Sequence, residues 1–244
     1  MSITRRILLT SVSGLTLVLP GIRAMRTPHE PAGPVGPQQA MEVPPFTSVE
    51  LRGGVKAVLQ FGTVQRVTLV KGSAEISGVR VASGEQLIID RCQEKCPRGY
   101  RLEVEIVTPV VAAISIGDGG IIEGRGNFPR RAEIGLAVSN GGTIDARAIS
   151  ADRITAAVTQ GGRILAKPET SLLASVVSGG VITYWGDVPV TSSTQHGGQI
   201  IKGSVVEADK PVADFASETT CPEVPPTPKH ISTGEKRAVA SRVF

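Results

Sequence analysis

Short runs in the first half of the chain alternate apolar and polar residues with period two. They are Val55-Lys56-Ala57-Val58-Leu59-Gln60-Phe61, Val67-Thr68-Leu69, Val79-Arg80-Val81, Leu87-Ile88-Ile89 and Tyr100-Arg101-Leu102-Glu103-Val104-Glu105-Ile106. Alternation sends successive side chains to opposite faces, so each run predicts a half-buried strand. Turn signals at Arg52-Gly53-Gly54, Lys71-Gly72-Ser73 and Ser83-Gly84-Glu85 separate them. In the second half the apolar stretches are shorter, as in Leu136-Ala137-Val138, Ile154-Thr155-Ala156-Ala157-Val158 and Val188-Pro189-Val190. They carry no helical period and read as β-like.

Those later stretches are organised by an internal repeat. A polar residue and a Gly-Gly pair recur five times, as Asp118-Gly119-Gly120, Asn140-Gly141-Gly142, Gln160-Gly161-Gly162, Ser178-Gly179-Gly180 and His196-Gly197-Gly198, with successive pairs 22, 20, 18 and 18 residues apart. An isoleucine follows two positions after each second glycine (Ile122, Ile144, Ile164, Ile182, Ile200). Ile116, Val138, Val158 and Val176 stand two before the polar residue, and Thr194 takes that place in the fifth unit. The unit is too short for a propeller blade and fits one turn of a parallel β-helix, in which each coil bonds to the coils above and below at about 4.8 Å. Glycine suits the sharp corner because it reaches positive φ without a Cβ clash. The polar residue before each pair is expected to stack with its counterparts, its short side chain bonding to backbone. Because the five residues share neither charge nor ligand type, a turn column is expected there rather than a cation ladder. The alternating region ahead of the repeat is expected to lead into the solenoid and cap one end, where a sheet edge would otherwise be exposed.

The ends are different in kind. Thr4-Arg5-Arg6, the apolar stretch Ile7 to Leu19, and Pro20-Gly21-Ile22-Arg23-Ala24 follow the order of an export signal over residues 1–24, cleaved after Ala24. The apolar stretch falls short of the roughly 20 residues that span a bilayer, so no stable membrane insertion is expected after cleavage. The paired arginines also resemble a twin-arginine signal, and an ordinary secretory route is the alternative. Either delivers the protein to the periplasm or the medium of a bacterium. Pro and Gly crowd residues 25–45, which read as a flexible or polyproline-like leader. Residues 46–215 then form the β domain, and residues 216–244, Pro-rich and then basic, read as a disordered tail.

Composition narrows the partners. The chain has 244 residues, 41% of them hydrophobic but only 3% aromatic, with a formal net charge of +4. The signal holds Arg5, Arg6 and Arg23 and no acid, so the remainder carries 23 basic against 22 acidic side chains. That near-neutral balance predicts no nucleic-acid partner. Cys92 and Cys96 flank Gln93-Glu94-Lys95 and precede Pro97, which marks a loop; in an oxidising compartment a Cys92–Cys96 disulfide is the leading pairing. Cys221 is free, paired with a loop cysteine or intermolecular; sequence allows any of three pairings. Zinc would need two further soft ligands near that loop, and the histidines are His29, His196 and His230, so neither metal nor other cofactor is expected.

No catalytic set stands out. Asp118, Asp145 and Asp187 fall in different units at different offsets from the glycine pair, whereas a general acid and its base need carboxylates within about 10 Å. His196 is the one histidine inside the β domain, which leaves no nucleophile triad to assemble. The aromatic pair Tyr184-Trp185 is the candidate ligand contact; neighbours in a strand face opposite sides, so one is expected in the core and the other outside.

Phe46-Thr47-Ser48-Val49-Glu50-Leu51, Gly84-Glu85-Gln86-Leu87-Ile88-Ile89, Leu102-Glu103-Val104-Glu105-Ile106-Val107-Thr108-Pro109 before Ile114-Ser115-Ile116-Gly117, and the recurrent Gly-x-Ile units together resemble the bacterial head GIN domain family of auto-transporter adhesin heads. The resemblance covers roughly residues 46–215. It implies a right-handed single-stranded β-helix in an exported protein, with no family-wide catalytic residues. The sequence therefore reads as an exported, non-catalytic, all-β protein with a parallel β-helix and a strand-rich N-terminal part. Its expected role is adhesion or binding to an envelope glycan or protein; the alternatives are a polysaccharide-active enzyme and a structural scaffold of the envelope.

Overall fold

The computed structural model describes residues 38–204. The export signal, most of the leader, the tail, His29, His230 and Cys221 lie outside the described residues. Every regular element described is a strand. Seven precede the repeat: β1 (Gln39–Met41), β2 (Ser48–Arg52), β3 (Lys56–Phe61), β4 (Arg66–Lys71), β5 (Gly78–Ala82), β6 (Gln86–Asp90) and β7 (Glu103–Thr108). Then come β8 (Ala113–Ile116), β9 (Ile121–Arg125), β10 (Arg131–Ser139), β11 (Thr143–Asp145) and β12 (Ala151–Thr159). The last five are β13 (Arg163–Ala166), β14 (Pro168–Val177), β15 (Val181–Tyr184), β16 (Val190–Thr194) and β17 (Gln199–Lys202).

They form two sheets. A nine-stranded sheet has the order β1-β4-β7-β3-β9-β11-β13-β15-β17, and an eight-stranded one the order β16-β14-β12-β10-β8-β2-β6-β5. From β8 onward consecutive strands alternate between the sheets, and every pairing among them is parallel. The isoleucines that follow the glycine pairs meet in register, Ile122 with Ile144, Ile164 and then Ile182, each fully buried. In the facing sheet Ile116, Val138, Val158 and Val176 form a second buried column, and Ile134, Ile154 and Leu172 a third. Stacking like on like lets β-branched side chains interlock along the pleat. Each buried isoleucine contributes on the order of 2 kcal/mol of apolar transfer.

The N-terminal part is woven into both sheets as well as closing one end of each. β3 lies between β7 and β9, and β2 between β6 and β8, all in parallel register. The Gly53-Gly54 turn that joins β2 to β3, with φ of 77° at both residues, thus occupies the same corner as the later glycine pairs. Closure falls to antiparallel strands: β4 pairs with β7, and β5 with β6. The leader is shorter than its composition suggests, because Gln39–Met41 pairs antiparallel with β4 and Phe46 is buried, its backbone N–H donating to Gln65 Oε1 at 3.2 Å. Pro44 and Pro45 sit just after that strand, where no ladder donor is required.

A glycine-floored groove

The two glycines of each pair do different work. The first of each pair in the repeat, such as Gly161 at φ 84°, has open space where a Cβ would stand. The second faces inward: a Cβ on Gly162, at φ 108°, would lie 2.5 Å from Val138 Cγ1 and 3.0 Å from the Gly142 carbonyl, and Gly180 repeats this against Val158 and Gly162. Close approach of backbone to the preceding unit is what excludes a side chain there. It also keeps hydrogen bonding continuous round the corner. Val55, Gly120, Gly142, Gly162 and Gly180 carbonyls accept from the N–H of Ile121, Thr143, Arg163, Val181 and Gln199 at 2.8 to 3.1 Å.

The polar residues ahead of the pairs owe their place to backbone conformation. Asn140, Gln160, Ser178 and His196 have φ between 49° and 59°, the left-handed region, and all four are exposed. Asn140 Nδ2 donates to Asp118 Oδ1 at 3.0 Å. The side-chain-to-backbone bonding expected from the sequence is thus replaced here by a side-chain bond between neighbouring units. Among the described residues no three His, Cys, Asp or Glu side chains converge as metal ligands would.

Beside this corner lies a groove of 610 Å³, floored by Gly120, Gly142 and Gly162 with Ile121, Thr143 and Val181. It crosses β3, β9, β11, β13 and β15, about 19 Å at the usual strand spacing. Its wall is made by Arg91 and by Tyr100, Arg101, Leu102 and Glu103, the two ends of the segment that carries the cysteine loop. That wall is tied down: Tyr100 Oη accepts from the Ser73 N–H at 2.7 Å and lies 2.7 Å from Ser77 Oγ, while Ser77 Oγ donates to the Arg91 carbonyl at 3.0 Å. Gln93 adds two bonds, its N–H to the Ile76 carbonyl and its Nε2 to the Ser77 carbonyl. Cys92 and Cys96 are disulfide-bonded within the same segment. Reducing that bridge is expected to lower stability by about 2 kcal/mol, the loop-closure entropy of so short a ring. Urea unfolding with and without reductant measures it, and an unchanged midpoint would show that the hydrogen bonds alone hold the wall.

Charge is distributed unevenly around the groove. Six of the nine described arginines outside it meet carboxylates: Arg52 with Glu50, Arg80 with Asp90, Arg125 with Glu123, Arg130 with Asp152, Arg147 with Asp145 and Arg153 with Glu133; Arg66, Arg98 and Arg131 are the other three. Donating hydrogen bonds to the Glu50 and Glu123 carboxylates holds the Arg52 and Arg125 guanidinium groups above their ordinary range. In the wall, Arg91 and Arg101 have no ion-pair partner among the described residues, and Arg91 Nη1 lies 3.5 Å from where a side chain on Gly54 would begin. Lys56 and Arg163, each with a partner of its own, also line the groove, and its one acid, Glu103, meets Lys71 Nζ at 3.6 Å.

Tyr184 and Trp185 are elsewhere and turned in. Strand alternation ends at Tyr184, and the chain bends at Gly186 with φ 122°, so Tyr184 packs against the core while Trp185 is buried beside Gly203 and Arg147. Trp185 is 8% exposed, covered by Gly203; its Nε1 donates to the Ser204 carbonyl at 2.8 Å, and Arg147 Cζ lies 5.4 Å from its ring centroid. Tyr184 is half-buried against the core. Trp185 is therefore the buried member of the pair and Tyr184 the less buried one. Of the three aspartates singled out in the sequence, Asp145 pairs with Arg147, Asp187 with Lys202 at 3.0 Å, and Asp118 with Asn140. Sequence reasoning passed over Arg91 and Arg101, although their position flanking the cysteine loop was a usable signal.

No helix among the described residues is long and apolar enough to cross a membrane. No family model and no curated relative matches the chain. Among solved structures, it is similar to a "putative adhesin" from Bacteroides fragilis at 15% identity, covering 68% of this chain and 96% of that one with a TM-score of 0.43. It is also similar to a "putative cell adhesion protein" from Clostridium sporogenes, at 13% identity over 68% and 99% with a TM-score of 0.36, and to a "putative adhesin" from Parabacteroides merdae, at 12% identity over 68% and 95% with a TM-score of 0.34.

Proposed function

We propose that the protein is an exported, non-catalytic binding module, a right-handed parallel β-helix of the head GIN kind over residues 46–215, that holds an envelope glycan or a surface protein in the groove beside its glycine corner. The observation that carries this reading is the groove itself, a continuous trough across five strands with a hydrogen-bonded wall on one side. The alternation of parallel strands between two sheets supports the β-helix. The export signal read in the sequence and the Cys92–Cys96 disulfide support a periplasmic or secreted location. Against an enzyme of the polysaccharide-cleaving class stands the pairing of the described aspartates with Arg, Lys or Asn, which leaves them acting as partners of those groups instead of as an acid and base facing one substrate. The test is a glycan and polysaccharide array probed with the exported protein, with product release assayed in the same wells. Binding without release is expected. Release of shortened product would overturn the non-catalytic reading, and silence on every glycan would overturn the glycan reading in favour of a protein partner or a structural role.

A further inference from the structure

Resting on the binding role proposed above, we infer that the groove is selective for a linear glycan bearing carboxylates, with Arg91 and Arg101 as the groups that hold its acid functions. Six of the nine described arginines outside the groove are neutralised by a neighbouring Glu or Asp. Arg91 and Arg101, side by side in the groove wall, have no such partner among the described residues, and Arg91 is fixed through its backbone: its carbonyl accepts from Ser77 Oγ and its N–H donates to the Arg52 carbonyl at 3.0 Å. A cation held on a fixed backbone without an internal counter-charge is preorganised for an external one, and guanidinium groups bind carboxylates through paired N–H donors.

The floor decides the polymer. A peptide is usually captured either by adding a strand to a free sheet edge or by seating side chains in pockets. The groove lies over a sheet face, where the glycine carbonyls already accept from the next unit, so it offers no free edge. Its floor is glycine backbone beside the in-register row Lys56, Ile121, Thr143, Arg163 and Val181, a shallow bed with apolar patches at Ile121 and Val181. A sugar chain suits such a bed, because its ring C–H faces can lie flat while carboxylates at its margin reach the arginines.

The experiment measures binding of the full exported protein to sodium polygalacturonate oligomers, with dextran oligomers of matched length and poly-L-glutamate alongside, by isothermal titration calorimetry at two salt concentrations. Polygalacturonate is expected to bind, and to bind more weakly at high salt because exposed ion pairs are screened. The double variant Arg91→Glu/Arg101→Glu is expected to bind about 100-fold more weakly, as two hydrogen bonds to charged groups are lost. Arg66→Glu, an exposed arginine outside the groove, is expected to leave binding unchanged. Circular dichroism and the urea midpoint establish that the double variant is folded, and Arg91→Gln/Arg101→Gln provides a milder pair should the reversal unfold it. Equal affinity for poly-L-glutamate would overturn glycan selectivity. Equal affinity for dextran would overturn the acidic preference while leaving the binding module standing. Binding unaffected by both arginine pairs would overturn the assignment of the site, and release of shortened oligogalacturonate would overturn the non-catalytic reading on which the inference rests.

Discussion

Replacing Gly162 by alanine is expected to cost about 3 to 4 kcal/mol, while the same change one residue earlier, Gly161→Ala, costs about 1 kcal/mol. Both glycines have positive φ, 84° at Gly161 and 108° at Gly162, so both alanines carry backbone strain. Only at Gly162 would the new methyl also enter the space of Val138 Cγ1 and the Gly142 carbonyl. The clash is with a buried β-branched side chain and with backbone, neither of which can swing aside. Urea unfolding of the two variants separates the terms, and equal midpoints would show that the inner glycine is needed for φ alone. Gly161→Asn should cost less than Gly161→Ala, because asparagine tolerates the left-handed region, as Asn140 already does in this fold at φ 56°.

Asp145→Ala is expected to destabilise the protein by about 3 to 5 kcal/mol, the cost of stranding a buried cation. Asp145 is 5% exposed; its Oδ1 accepts from the Arg147 N–H at 3.1 Å and Nε at 2.8 Å, and its Oδ2 from Nη2 at 2.5 Å. Arg147 in turn lies over Trp185, so the variant should also shift the tryptophan emission. Adding Arg147→Met removes the stranded charge and should recover most of the loss, since an apolar side chain of similar length can occupy the same space. A single variant with a cost below about 1 kcal/mol would mean that water reaches Arg147 and that the pair is a surface one in effect.

Much of the strand repeat was legible because its signals are local. The glycine pairs and the isoleucine two positions later recur along the chain, and the structure aligns Ile122, Ile144, Ile164 and Ile182 in one buried column. What could not be read was order across the sheets. β2 and β3 insert between strands that follow them by tens of residues, and periodicity within a run says nothing about such distant pairing. Gly53-Gly54 consequently looked like an ordinary turn, although it shares the corner with the repeat. Which of Tyr184 and Trp185 is buried was not legible for a related reason: period two holds inside β15, and Trp185 stands just beyond its end. The groove was hidden because its floor and its wall come from segments far apart in sequence, and only the fold sets Arg91 beside Gly54.

The even spacing of the last glycine pairs bears on how such a chain can change over generations. Residues 161–178 begin with one Gly-Gly pair and stop just short of the next, and their strands pair with the unit before and the unit after. Excision of those 18 residues would join Gln160 to Gly179, restoring the same polar-Gly-Gly junction with the isoleucine column still in phase. Duplication would lengthen the stack by the same step. The reach of the groove is therefore open to adjustment by single in-frame events, each adding or removing one floor position, without redesign of the wall that carries Arg91 and Arg101.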